Sequence, residues 1–144
     1  MSDGLGFKKL TAWQRADELA SMVFHAAQQL PQQHRWLASQ MMRAAISVPA
    51  NVAEGHGRGS LAGYRRFLDI ARGSLSEVEY YLHFAGKEGL VRESDLREIG
   101  LVRAEAGRLL HRLWLSLKSK SSAEWDHSGS MIREVSDHHY EASD

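Results

Sequence analysis

The chain has 144 residues, enough for one domain with a proper core and too few to argue for two. It contains no cysteine, which excludes a disulfide framework, a thiolate zinc site and a cysteine nucleophile. Its 18 basic and 18 acidic residues cancel, unlike the strong basic excess usual in dedicated nucleic-acid binders. The cancellation is uneven along the chain. Beyond residue 118, Lys120 and Arg133 stand against Glu124, Asp126, Glu134, Asp137, Glu141 and Asp144, so an acidic tail follows a body that is mildly basic by the same amount. No apolar segment follows Lys8 and Lys9, and no run approaches the roughly 20 apolar residues of a membrane span. A soluble, cytoplasmic protein with no membrane partner is expected.

From residue 10 to residue 30, Leu10, Trp13, Ala16, Ala20, Val23, Ala27 and Leu30 recur at steps of three and four, which predicts a first helix. Thr11 is placed to cap its start, and Pro31 to end it. A second helix carries Leu37 through Val52. At about 100° per residue, Met41, Ala45, Val48 and Val52 fall on one side of it and Arg43, Ser47, Asn51 and Glu54 on the opposite side. Pro49 lies within this helix, removing one hydrogen bond and crowding the Ala45 carbonyl. The apolar period continues across it, so a kink is expected rather than a break.

Gly55-His56-Gly57-Arg58-Gly59 ends the second helix, and Ser60 is a natural N-cap for the third. The third helix shows Leu61, Tyr64, Leu68, Ala71, Leu75, Val78, Leu82 and Ala85 in a heptad, with Phe67, Ile70, Ser74, Glu77, Tyr81 and Phe84 as a second stripe beside it. Together they cover an arc of roughly 200°, twice the roughly 100° that one core requires. The helix therefore has two faces to bury, and the second marks a surface for self-association. The remaining arc, Arg65, Asp69, Arg72, Ser76, Glu79, His83 and Lys87, reads as solvated. Gly86 and Gly89 close the helix. A fourth runs from about 93 to 118, either capped by Ser94 or starting just before it, with Leu96, Ile99, Val102, Ala106, Leu109, Leu113 and Leu117 inward. Gly100 and Gly107 each cost it about 1 kcal/mol against alanine. After Lys118 the periodicity stops, and the Ser-, His- and acid-rich remainder reads as a disordered tail over 119–144.

The fold expected is thus all-α, an antiparallel up-down four-helix bundle over residues 1–118. No catalytic constellation accompanies it. A di-metal bundle site needs Glu-x-x-His on facing helices, and no glutamate here has a histidine three residues later. His25, His83 and His111 sit on different helices without a second inward ligand, and His138 and His139 lie in the tail. The chain is read as a non-enzyme, with no metal and no cofactor.

Three binding readings remain. Arg43, Ser47, Asn51 and Glu54 are either a solvated face or a polar seam against another helix, and their scarcity of charge fits the seam. Ser74 and Glu77 lie inside an apolar stripe, where an unpaired carboxylate is costly, so they are expected to meet that seam within the protomer or across a subunit contact. The Gly55, Gly57, Gly59 and Ser60 turn has glycine amides, a following helix N-terminus and Arg58, elements of an anion or small-molecule site, but no strand before it and no Lys-Ser or Lys-Thr after it. A tight interhelical turn is the simpler reading. Finally, His56, Arg58, Arg65, Arg66 and Arg72, repeated around a ring of subunits, would make a basic cluster for RNA or DNA.

The run Arg43-Ala44-Ala45, Ser47, Pro49, Asn51 and Ala53-Glu54-Gly55 resembles the bacterial four helix bundle protein family, known also as the 23S rRNA intervening-sequence proteins. Tyr64, Phe67, Ala71, Gly73-Ser74 and Glu77 match that family's next helix, and Leu10, Trp13 and Ser39-Gln40 fit upstream. The resemblance covers about residues 7 to 117, and Asn-x-Ala-Glu-Gly is its most specific part. Such proteins are similar to the accessory protein of diversity-generating retroelements. That likeness implies a four-helix protomer assembling into a homopentameric barrel, and no enzymatic chemistry. The expected function is an oligomeric scaffold that binds nucleic acid or a nucleic-acid-handling protein; the alternatives are a purely protein-binding adaptor and an anion binder at the glycine turn.

Overall fold

The computed structural model describes residues 2–120. The acidic tail lies, from residue 121 on, outside the described residues. After a 3-10 segment, Ser2–Lys9, come α1 (Thr11–Gln28), a short 3-10 turn (Gln32–His34), α2 (Arg35–His56), α3 (Leu61–Lys87) and α4 (Glu93–Lys118). There is no strand among the described residues. Each helix packs against its neighbours in sequence, and α4 closes on α1, with α2 and α3 the most extensive pair. The molecule is an antiparallel up-down four-helix bundle. None of its helices is long and apolar enough to cross a membrane.

The core is aliphatic and continuous. Leu19 and Val23 of α1, Leu37 and Met41 of α2, Leu68 of α3 and Leu110 and Leu113 of α4 are all fully enclosed, in one cluster with Tyr64. Each such side chain contributes about 1.5–3 kcal/mol relative to exposure. α2 runs unbroken through Pro49, which is itself buried. Across the α1–α4 contact, Arg15 donates from Nε to Glu105 Oε1 at 2.9 Å, a bond that raises its already high pKa; within α1 it also donates from Nη1 to Glu18 at 2.9 Å.

The helix ends follow local chemistry in some places and packing in others. Ser60 caps α3, its Oγ accepting from the Gly63 amide at 3.1 Å. Thr11 is not a cap: α1 is preceded by Leu10, with no side-chain bond, and Thr11 is the first helical residue. α4 likewise starts after Arg92 without a side-chain cap, with Glu93 and Asp95 in its first turn, where acids complement the helix dipole. Gly59 (φ 76°) and Gly89 (φ 71°) take the left-handed conformation that the turns before α3 and after it require.

Gly55 sets the approach of α2 to α3. A Cβ there would lie 3.0 Å from the Phe67 Cβ and 3.2 Å from both the Tyr64 ring and the Tyr64 carbonyl oxygen. Only a hydrogen fits at this crossing. The end of α2 is thereby brought against the first turns of α3, which places the polar residues of both helices described next.

Candidate functional site

Of the residues expected to form a seam, the structure brings together Ser47, Asn51 and Ser74. The Ser47 and Ser74 hydroxyls share a hydrogen bond of 2.8 Å across α2 and α3, and Ser74 is the one buried polar residue among those described. Asn51 Nδ2 donates to the Ser47 carbonyl at 2.7 Å and to its hydroxyl at 2.9 Å. The chain thus places a small, mutually satisfied polar cluster in the middle of the α2–α3 contact, close to Pro49.

The charged members stand apart. Arg43 is exposed, and Glu54 pairs with Arg58 one turn later, at 3.1 Å, rather than with Arg43. Glu77 is also exposed, so within the chain it does not meet the cluster. The reason is rotational: Glu77 follows Ser74 by almost a full turn but falls about 60° further outward at 100° per residue, enough to carry it past the α2 contact.

The five basic candidates separate just as clearly. His56 packs its ring edge-on to Tyr64, with centroids 5.8 Å apart. Arg58 lies over the Phe67 ring at 4.6 Å as well as beside Glu54, and Arg66, exposed, approaches the same ring at 5.8 Å. Arg65 is engaged with backbone: it donates from Nε and Nη2 to the Leu117 carbonyl, at 3.0 and 2.6 Å, and from Nη2 to those of Lys118 and Lys120, at 2.9 and 2.7 Å. It is the C-terminal cap of α4. In the turn before α3, the Gly57, Arg58 and Gly63 amides bond to Ala53, Gly55 and Ser60, and the Arg58 side chain is ion-paired to Glu54.

Arg72 leads to a constellation that periodicity did not single out. Its guanidinium carbon lies 4.5 Å from the centroid of the Trp114 ring, and Lys118 Nζ approaches the same ring at 4.8 Å. The Trp114 indole N–H donates to Asp69 Oδ1 at 2.7 Å, tying α4 to α3. His111 is stacked near-parallel to Trp114, with centroids 6.0 Å apart at 16°, and its Nδ1 is 3.3 Å from Arg72 Nη2. The arc of α3 that reads as solvated is therefore the edge that meets α4. Nearer the α3–α4 turn, Glu79 pairs with Arg103 at 2.6 Å. Beside that pair a groove of about 390 Å³ is lined by Leu82, His83, Gly86, Lys87 and Leu96 among others. The signals for this seam were in the chain as Trp114 and Lys118, one turn apart on α4, opposite Arg72.

The second stripe of α3 is only partly covered. Phe67, Tyr81 and Phe84 are half-buried, while Ile70 is 41% exposed. Trp36, Ile46 and Tyr80 are more open still, at 59, 53 and 59%. Among the described residues no group of three or more His, Asp or Glu side chains is placed to hold a metal ion.

Comparison with individually curated proteins finds no match. The sequence model of the 23S rRNA-intervening sequence protein family matches residues 8–112, which span α1, α2, α3 and most of α4 and include Gly55 and the Ser47, Asn51 and Ser74 cluster. With the bundle in place and the match running through nearly all of it, the chain belongs to the 23S rRNA-intervening sequence protein family.

Proposed function

We propose that the protein is a non-enzymatic scaffold that assembles with copies of itself and engages RNA or a nucleic-acid-handling protein. The observation that carries the assembly is the outward side of α2 and α3, where Trp36, Ile46, Ile70 and Tyr80 leave large apolar surface open around a small-residue centre at Gly73. A Cβ at Gly73 would meet nothing within 4 Å in the protomer, so the bundle itself does not need a glycine there. A neighbouring copy would. The family resemblance implies five copies, and the family's name supports RNA as the partner. A cytoplasmic setting goes with that reading.

Light scattering on the full chain, followed by an RNA shift at two salt concentrations, tests both parts. A mass several times the 16.2 kDa protomer with salt-sensitive RNA binding is the expected result. A monomer at micromolar concentration would overturn the assembly. The zero net charge favours a second reading, a protein-binding adaptor, and an assembly indifferent to RNA at low salt would establish it in place of the first.

A further inference from the structure

We propose that the seam between α3 and α4 is the RNA-contacting surface, and that it takes a single strand, with a base laid against the Arg72, His111, Trp114 and Lys118 stack. The inference rests on the RNA reading above and adds to it a place and a strand form. Its foundation is the fixed geometry of Trp114. The indole bond to Asp69, 2.7 Å, holds the ring in one orientation between the helices. Arg72 at 4.5 Å and Lys118 at 4.8 Å are held on that ring as cations, so two long side chains that are normally free to swing are already positioned. A strand that meets them loses less side-chain entropy than one meeting loose lysines on an arbitrary surface.

The chemistry of the cluster matches a nucleotide better than it matches a carboxylate-rich peptide. Cations alone would serve either. The near-parallel His111 and Trp114 rings, with Arg72 across one of them, add flat π surfaces at a partly exposed rim, and the ligand that uses a flat surface is an unstacked base. Duplex RNA hides its base faces, so the stack gives it no advantage. The seam also has length. From Trp114 to Arg103 along α4 is about 16 Å at 1.5 Å per residue. At the far end Lys87 and His83 border the groove of about 390 Å³, where a phosphate or a second base can be met; Arg103 lines it too but is held by Glu79. Acids on the seam are already engaged: Asp69 with the indole and Glu79 with Arg103. The surface assigned to self-association lies on the outward side of α2 and α3 and adjoins the seam where Tyr80 meets His83, ring centroids 6.4 Å apart; an assembly would repeat the Trp114 stack once per copy.

The test uses the full chain and a fluorescein-labelled twelve-nucleotide oligouridine, read by fluorescence anisotropy between about 50 and 200 mM salt. Trp114→Leu is expected to weaken binding roughly tenfold, the order of one lost base–aromatic stack, and Trp114→Phe to recover part of the loss. Lys118→Gln, at an exposed side chain, should lower the salt slope by about one. Arg58→Gln with Arg66→Gln, the two cations over the Phe67 ring, should leave affinity within about twofold. Thermal melts of each variant separate lost binding from lost folding, and Lys118→Gln keeps the test open if Trp114→Leu does not fold. Salt-sensitive binding of the strand that ignores both Trp114→Leu and Lys118→Gln overturns the site while leaving the RNA reading intact. Duplex RNA bound more tightly than the strand overturns the strand form. No RNA binding at the lower salt overturns the reading and the site together.

Discussion

Two glycines with similar helical surroundings carry different loads. At Gly55 the atoms that a Cβ would strike are the Phe67 Cβ and Tyr64 backbone and ring, which cannot move without shifting α3. Gly55→Ala should therefore destabilise the protein by about 1–3 kcal/mol in urea unfolding, in spite of alanine's better helix propensity. At Gly86 the nearest atom is the Leu96 Cδ1, at 2.7 Å, the end of a flexible side chain that can rotate away. Gly86→Ala should stay within about 1 kcal/mol of wild type. Gly100 has nothing within 4 Å of its would-be Cβ, and Gly100→Ala should stabilise α4 by about 0.5–1 kcal/mol. The residue pattern marks Gly55 as part of a specific run, but the reason for it is a contact 12 residues away, visible only once α2 and α3 are laid together. Ser47 and Ser74 are the same kind of case. Their types say that they will seek partners, and the crossing decides that they find each other.

Among the elements, α3 was the most legible. Its heptad, its Ser60 cap and its glycine-marked end all act locally, so one sequence is enough to place them. The span of α4, 93 to 118, follows from its apolar period, although its start carries no side-chain cap. What periodicity cannot say is which helix lies alongside a given arc, and so Arg65 and Arg72 looked solvated while the structure sets both against α4. Arg65 is the sharper instance, since one guanidinium gathers the carbonyls of Leu117, Lys118 and Lys120. It satisfies acceptors that a helix end leaves open and brings positive charge to the negative end of the helix dipole. Arg65→Met, which keeps the apolar stem and removes the fork, should cost about 1–2 kcal/mol and should speed amide hydrogen exchange in the last turn of α4 before it affects the rest of the bundle. If protection there is unchanged, the cap is not what holds that turn. Trp114 carries no signal in the apolar period of α4, because its partners Asp69 and Arg72 belong to another helix.

For the molecule as a whole, the open question of sequence was why α3 carries more apolar surface than a bundle needs. The protomer leaves part of that surface uncovered, at Ile70 and Tyr80, and leaves empty space at Gly73. Gly73→Glu should therefore have little effect on the helical circular dichroism and melting of a single chain, and, under the self-assembly proposed above, should reduce the solution mass to that of one chain. An unchanged assembly mass would place the contact elsewhere on the surface. The closing contacts have one more consequence, for chain connectivity. Gly6 lies against His56, and Arg65, in the first turns of α3, holds the carbonyl of Lys120, so both ends of the bundle emerge beside the α2–α3 turn. The opposite end carries the 88–92 turn, with Gly89 in an exposed position. A circular permutant that joins residue 120 to residue 6 through a short flexible linker and opens the backbone at Gly89 would trade a hairpin between α3 and α4 for one between α4 and α1, and should fold to the same four helices.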